Sequence, residues 1–425
     1  MFLSAAGLPL QPSFRLLVIC FSAFGASLPM VWVSLAKLLL VATGLVILLL
    51  QLAKPRQSQA LAGCWTAYSI LACVLAFAAS LLWSDAATGL ALAAFVKHSK
   101  LLVVLLLITL IRTAQEARLA MMIFLLGQGV FVATSWAMAG GLSIPWASSD
   151  WATEPRFKYV VYSTYLDQSI IFAASAAVFW HLRALWPQFR HLAALMAVLA
   201  LLNTLLLLDG RTGYSVALTM ITLAIMWALP KKMRLVAVLV VPVLILSAAA
   251  LSSGKVSKRL SDMVSESQSY AQQGDAESSS GFRLNAWKRS VQAIWLAPVA
   301  GHGVGSWTVT IKRLEGPSAE KVFGTNDASN PHQEYLLWGV ELGAAGILLL
   351  LGVMGAALRD AQCFARSIKR ATLSLLAALA VACLFNSALY DALVGDYFCV
   401  ALGLLMALGL RTNNEAGGLM PKANM

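Results

Sequence analysis

In the segment Asn330-Pro331-His332-Gln333-Glu334-Tyr335, a histidine stands where the one long polar interval of the chain, residues 253–333, gives way to an apolar run. An imidazole with its ordinary pKa of about 6.5 can take a proton from an incoming hydroxyl near neutral pH. His332 and Glu334 lack the spacing of a metal-binding helix face, and a lone histidine is often structural. The loop–helix junction, on a side that carries other cations, favours a catalytic role for His332. Two arginine-bearing segments accompany it. Leu208-Asp209-Gly210-Arg211-Thr212-Gly213-Tyr214 is a short turn whose Arg211 sits at the edge of an apolar run. A guanidinium there either snorkels to water or meets an anion. Arg283 opens a stretch in which Leu284, Trp287, Val291, Ile294 and Trp295 share one helical face, with Arg283, Lys288 and Arg289 off it. Such a helix rests on the membrane surface or caps a bundle. Arginine forks bind phosphate oxygens and can stabilise the charge that grows on a departing diphosphate. Arginines with a histidine therefore suit an anionic, lipid-linked substrate.

Neighbouring motifs divide into weaker candidates and structural features. Gly301-His302-Gly303-Val304-Gly305 has GxGxG spacing but no strand before it, so it reads as a turn and not a nucleotide site. Residues 265–280 are Ser/Gln-rich and read as a mobile segment. Lys100, with Lys97 and His98, falls inside an apolar run, where cations face a cavity or pair with carboxylates. Asp391 could pair with an arginine, orient His332 or simply be solvated. Arg156 is a further candidate on the same side, and Lys37 reads as a snorkelling side chain.

The elements that position these residues are helices in a membrane. The 425 residues are 60% hydrophobic and 12% charged, with mean hydropathy +0.77, against roughly 25% charged in soluble domains. Apolar runs at 15–30, 31–53, 60–82, 87–111, 118–140, 167–182, 191–208, 212–229, 234–252, 334–357, 371–390 and 395–411 predict an all-α polytopic fold of about twelve crossings. The first run lacks a small-residue cleavage site after it and reads as a retained helix. The chain divides into 1–252, the loop 253–333, and 334–425. The net charge of +12 sits mainly at the ends of apolar runs, as topology signals do, which argues against a nucleic-acid partner. Arg15, Lys54, Arg56, Arg112, Arg118, Arg183, Arg190, Lys231, Lys232, Arg234, Arg359, Arg366, Lys369, Arg370, Arg411 and Lys422 fall on one side. Arg156, Lys158 and Arg211 occupy the short loops of the other. The first side reads as cytoplasmic and holds both termini, and the long loop faces outward. The six cysteines have no metal-site spacing and read as packing residues.

The Gly210-Arg211-Thr212-Gly213 turn, the Arg283-x-x-x-Trp287 helix leading to Pro298 and Gly301–Gly305, and Pro331-His332-Gln333-Glu334-Tyr335-Leu336 with Glu341-Leu342-Gly343 resemble the O-antigen ligase/polymerase superfamily. The resemblance covers roughly residues 195–400, and within the superfamily it is nearest to O-antigen ligases of lipopolysaccharide assembly. It implies a GT-C-type glycosyltransferase of the bacterial inner membrane with a periplasmic site. The implied reaction passes O-antigen from undecaprenyl diphosphate to a sugar hydroxyl of lipid A–core, with inversion and with neither metal nor nucleotide cofactor. Carried over residue by residue, His332 becomes the general base, and Arg211 and Arg283 the diphosphate clamp. Many members have Asn or Ser at the position of Gln333. The same resemblance admits an O-antigen polymerase or a protein-glycosylating ligase. A secondary transporter is the rival of another class, although no internal repeat supports it.

Overall fold

The computed structural model describes residues 12–53, 61, 63–147, 155–252, 254–273, 278–316 and 330–418. Every regular element among them is helical. The first nine apolar runs form α1 (Pro12–Gly25), α2 (Met30–Ala53), α3 (Trp65–Ser80), α4 (Thr88–Ser99) with α5 (Leu102–Leu110), α6 (Ala114–Ala139), α7 (Tyr165–Leu182), α8 (Arg190–Leu202), α9 (Arg211–Ala228) and α10 (Arg234–Ser252). The long loop holds α11 (Gly254–Gln273), α12 (Ser279–Leu296) and α13 (Trp307–Glu315). It is followed by α14 (Glu334–Ala361), α15 (Arg366–Phe385) and α16 (Ala392–Gly418). Against about twelve expected crossings, seven helical stretches among the described residues are long and apolar enough to span a membrane. Part of the difference lies in α1 and α3, apolar but shorter than a crossing, and part in α7. It carries Asp167, Gln168 and His181 yet is buried along most of its length, so it needs no lipid-facing apolar surface.

Helix α7 is the centre of the bundle, packed against α8, α9 and α15. Its run Ala173-Ala174-Ser175-Ala176-Ala177 lets neighbours approach closely, which is how helices associate where lipid is as apolar as they are. Ser175 Oγ lies 2.9 Å from the Tyr397 hydroxyl and donates to Gln128 Oε1 at 3.1 Å, joining α6, α7 and α16. Lys37 does not snorkel. Its Nζ reaches the buried Asp396 carboxylate of α16 at 2.6 Å, a partner too distant in sequence to be seen beforehand. Three parts of the expected loop, residue 253, 274–277 and 317–329, lie outside the described residues, as do Lys54, Arg56 and Lys422. Part of the segment read as mobile is helical, because α11 continues to Gln273 and Tyr270 donates to Asn285 Oδ1 of α12 at 3.2 Å.

The element that organises the site is α14, which breaks at Gly343 (φ 65°). A break leaves carbonyls without their helical donors. Here the turn 298–305 supplies them: His302 N–H donates to Val340 O at 2.9 Å and Gly303 N–H to Glu341 O at 2.9 Å. In return, Ala344 N–H donates to Pro298 O at 2.7 Å. The turn is also gripped by the α3–α4 connection, where Ser84 Oγ donates to Val304 O at 2.7 Å and Asp85 N–H to His302 O at 2.9 Å. A Cβ on Gly343 would lie 2.6 Å from Val299 backbone atoms, in a conformation that costs an L-residue on the order of 1–3 kcal/mol. Gly343→Ala is therefore expected to lower the melting temperature of the purified protein by several degrees. Gly352→Ala, where a Cβ meets open space on the same helix, should leave it unchanged or slightly raised.

Candidate active site

The histidine turn follows from its own sequence. Asn330 Oδ1 accepts the His332 N–H at 2.9 Å, the side-chain turn that asparagine favours. Gln333 then caps α14 by accepting the Leu336 N–H at 3.2 Å. Between them His332 adopts φ 51°, the one non-glycine left-handed residue among those described. A backbone held there against its preference marks a position that the surroundings over-determine. Glu334 completes the clamp. Its buried carboxylate accepts the N–H groups of Leu389 (2.8 Å) and Tyr390 (3.2 Å) and the Trp338 indole (2.8 Å). That tie brings the 386–391 connection against the turn, and His332 Nδ1 lies 3.4 Å from Asn386 Oδ1. With Nδ1 facing that acceptor, Nε2 is the nitrogen left to take a proton.

Three separate stretches of chain bring the two arginines to this histidine. Arg211 opens α9, whose first turn lies directly on α7: a Cβ on Gly213 would sit 2.2 Å from Ser169 Oγ, so only glycine permits the approach. Arg283 is on α12, one turn before Trp287, whose indole N–H donates to Pro331 O at 3.0 Å. That bond fixes the helix to the histidine turn and sets Arg283, one turn earlier, beside it. Burial pushes the His332 imidazole below its ordinary pKa, and the Arg283 charge pushes the same way. Burial and the neighbouring Arg211 likewise lower Arg283. Arg283 thus senses Arg211 on one side and acts on His332 on the other, in one partly buried place. Arg211 is engaged by Ser280 Oγ at 3.1 Å and, more loosely, by Glu266 Oε1 at 3.6 Å. Burial raises the Glu266 carboxyl, but its Ser280 hydrogen bonds and the Arg211 charge outweigh it and hold Glu266 below the usual carboxylate value. Arg283 has no ion pair or hydrogen bond among the described residues. An unpaired, partly desolvated guanidinium is a receptor for an anion.

The remaining candidates lie elsewhere. Lys100 Nζ donates to the carbonyls of Asp391 and, at 3.5 Å, Tyr390, so it braces the connection that bears Asn386. Lys97 Nζ stands 4.3 Å over the Tyr390 ring. The Asp391 carboxyl meets that of Asp167 rather than an arginine or His332, and burial raises it against the pull of Lys100. Arg156 is exposed on a short turn. His302 is structural, with Nε2 3.0 Å from Ala293 O and Nδ1 3.3 Å from Asp85. Helix α12 also packs on a different face from the apolar one. Ala286, Ser290 and Ala293 are buried against the protein, while Val291 (43%) and Trp295 (78%) are exposed, as suits a helix lying on a membrane surface. Glu266, Asn386 and Trp287 Nε1 as an anchor were not found from sequence. Asn386 had the strongest signal, as an amide within an apolar run. No three His, Cys, Asp or Glu side chains among the described residues converge as metal ligands would.

This is an all-helical, polytopic membrane protein whose conspicuous polar site gathers two arginines and a histidine at one end of the bundle. Residues 195–351, a segment containing Arg211, Arg283 and His332, match the family model described as O-antigen ligase. The match covers 157 of the 425 residues and supports a relationship to the O-antigen ligase superfamily over that segment. Comparison with curated proteins finds no match.

Glu266 competes for Arg211 with any incoming phosphate. Glu266→Gln keeps an oxygen to accept the Ser280 N–H (3.0 Å) but removes the charge. Isothermal titration calorimetry of the purified protein with inorganic diphosphate should show a Kd lowered severalfold.

Proposed function

We propose that the protein is a metal-independent, inverting glycosyltransferase. It transfers O-antigen from undecaprenyl diphosphate to a sugar hydroxyl of lipid A–core, on the periplasmic side of the inner membrane. The observation that carries this reading is Arg283. It is partly buried, forms no ion pair or hydrogen bond among the described residues, and lies close enough to both Arg211 and His332 for its charge to be felt there. A diphosphate supplies the missing negative charge, and the family match supplies the substrate class.

In this reading the donor diphosphate lies between Arg211 and Arg283, with its polyprenyl chain in the lipid. His332 Nε2 takes the proton of the acceptor hydroxyl as its oxygen attacks the anomeric carbon. The bond from that carbon to the diphosphate oxygen breaks, its electron pair stays on the diphosphate, and the arginines stabilise the new charge. Asn386 holds the imidazole, and α12 covers the reacting carbon from water.

The lowered His332 pKa makes the neutral, base form dominant at neutral pH. His332→Ala should reduce transfer by about 10²–10⁴-fold, the usual worth of a general base. The assay is mass spectrometry of products from purified protein, lipid-linked donor and lipid A–core; undiminished transfer removes His332 from the mechanism. Supplying a second lipid-linked repeat unit as acceptor instead tests for polymerase activity by chain elongation.

A cation beside an imidazole disfavours its protonation. The acidic limb of the kcat/KM profile should therefore fall below the ordinary histidine value of about 6.5. Arg283→Gln removes that cation and should move the limb to higher pH, alongside a large loss of donor affinity. A limb that stays in place would separate Arg283 from His332.

A further inference from the structure

The second concentration of arginines lies at the opposite end of the bundle. A cavity of about 690 Å³ opens where α7 ends and α15 begins, lined by Arg183, Arg190, Arg366 and Arg370 with His181 and Trp180. No Asp or Glu lines it, and among the described residues none of the four arginines forms an ion pair. Arg366 and Arg370 stand four apart on one helix, a repulsive spacing for like charges. Three of the guanidiniums are nonetheless held in place, Arg190 by donating from Nε to His191 Nε2 at 3.0 Å. Arg183 stacks 3.6 Å over the Trp180 ring and donates to the Trp180 carbonyl. Arg370 donates to Trp227 O at 3.3 Å, and the Trp227 ring also meets His181 edge to face at 4.9 Å.

The helix end adds to this charge. The 20-residue α15 begins at Arg366, and its N-cap, Ala365, offers no side-chain cap. The positive end of that helix and its first amides therefore face the same cavity. Beside Arg190, the exposed Phe189, Leu192 and Leu195 at the start of α8 give an apolar path away from the rim. Fixed cations, an uncapped helix start and an adjoining apolar strip match a phosphate group attached to acyl chains.

We propose that this arginine cavity binds the phosphodiester headgroup of an anionic phospholipid, with the acyl chains along α8. It is distinct from the site at His332. Helix α7 spans the distance between the two ends, and its 18 residues measure about 27 Å at ~1.5 Å per residue. The same holds of α15, which starts in the cavity and ends next to Asn386.

Native mass spectrometry of the full-length protein in detergent tests this, with titration by cardiolipin, phosphatidylglycerol, phosphatidylethanolamine and inorganic phosphate. Expected is preferential retention of the two anionic lipids, cardiolipin most strongly. Binding should weaken about fivefold for each arginine replaced, the size expected for one cation at an anionic surface, in Arg366→Gln and in Arg183→Gln/Arg370→Gln. Arg366 is exposed and makes no described contact, so its variant keeps the test open if the double variant does not fold. Lys231→Gln/Lys232→Gln, basic but outside the cavity, should bind as wild type. Equal retention of phosphatidylethanolamine, or unchanged cardiolipin binding in Arg366→Gln and the double variant, overturns the proposal. Competition by inorganic phosphate that displaces cardiolipin at equal concentration overturns the lipid assignment in favour of a soluble anion.

Discussion

The break in α14 is the constraint on which the site depends. Within or near a bilayer, a carbonyl without a donor costs several kcal/mol. The helix can therefore open at Gly343 only where other backbone refills it. The turn 298–305 does so from both sides of the break, and Glu341 extends the joint by accepting the Gly305 N–H at 2.8 Å and meeting His98 at 2.7 Å. His98 is itself stacked on Phe77 of α3, ring centres 3.9 Å apart. One defect in one helix thus fastens the end of α12, the α3–α4 connection and the segment carrying His332 into a single unit.

That unit explains how residues from separate stretches act together. Trp287 at its middle and the 298–305 turn after its C-terminal end hold α12, which sets where Arg283 can be. Glu334 holds the 386–391 connection, which sets where Asn386 meets the imidazole. Arg211 arrives independently on α9, placed by the glycine contact with α7. None of these anchors is a catalytic group, yet each limits the freedom of one.

The pattern of paired and unpaired charge separates structure from function. Several cations inside the bundle or the loop are matched: Arg15 with Glu116 at 2.9 Å, Lys37 with Asp396 at 2.6 Å, Arg289 with Glu315 at 2.8 Å. Arg283 and the arginines of the cavity between α7 and α15 are not matched among the described residues. Their cost is relieved if an anion arrives from outside the chain, and the two places lie at opposite ends of the same helices.

Much of this was legible in the residues alone. Apolar runs located the helices because bilayer thickness sets their length, and the motifs around Arg211, Arg283 and His332 named the cations of the site, since their order along the chain is a local property. Sequence could not tell that α7 is sheathed in protein, that Lys37 meets Asp396, or that Gly301–Gly305 mends a broken helix. It also left open whether the apolar face of α12 meets lipid or caps the bundle, because an apolar stripe can face lipid as readily as protein. Composition made residues 265–280 look mobile, whereas the helix there depends on contacts with α12. Charge type and helix length are written in short windows of sequence; which carbonyl lacks a donor, and which cation lacks a carboxylate, is decided only when residues hundreds of positions apart are brought into contact, as Lys37 and Asp396 are at 2.6 Å and His98 and Glu341 at 2.7 Å.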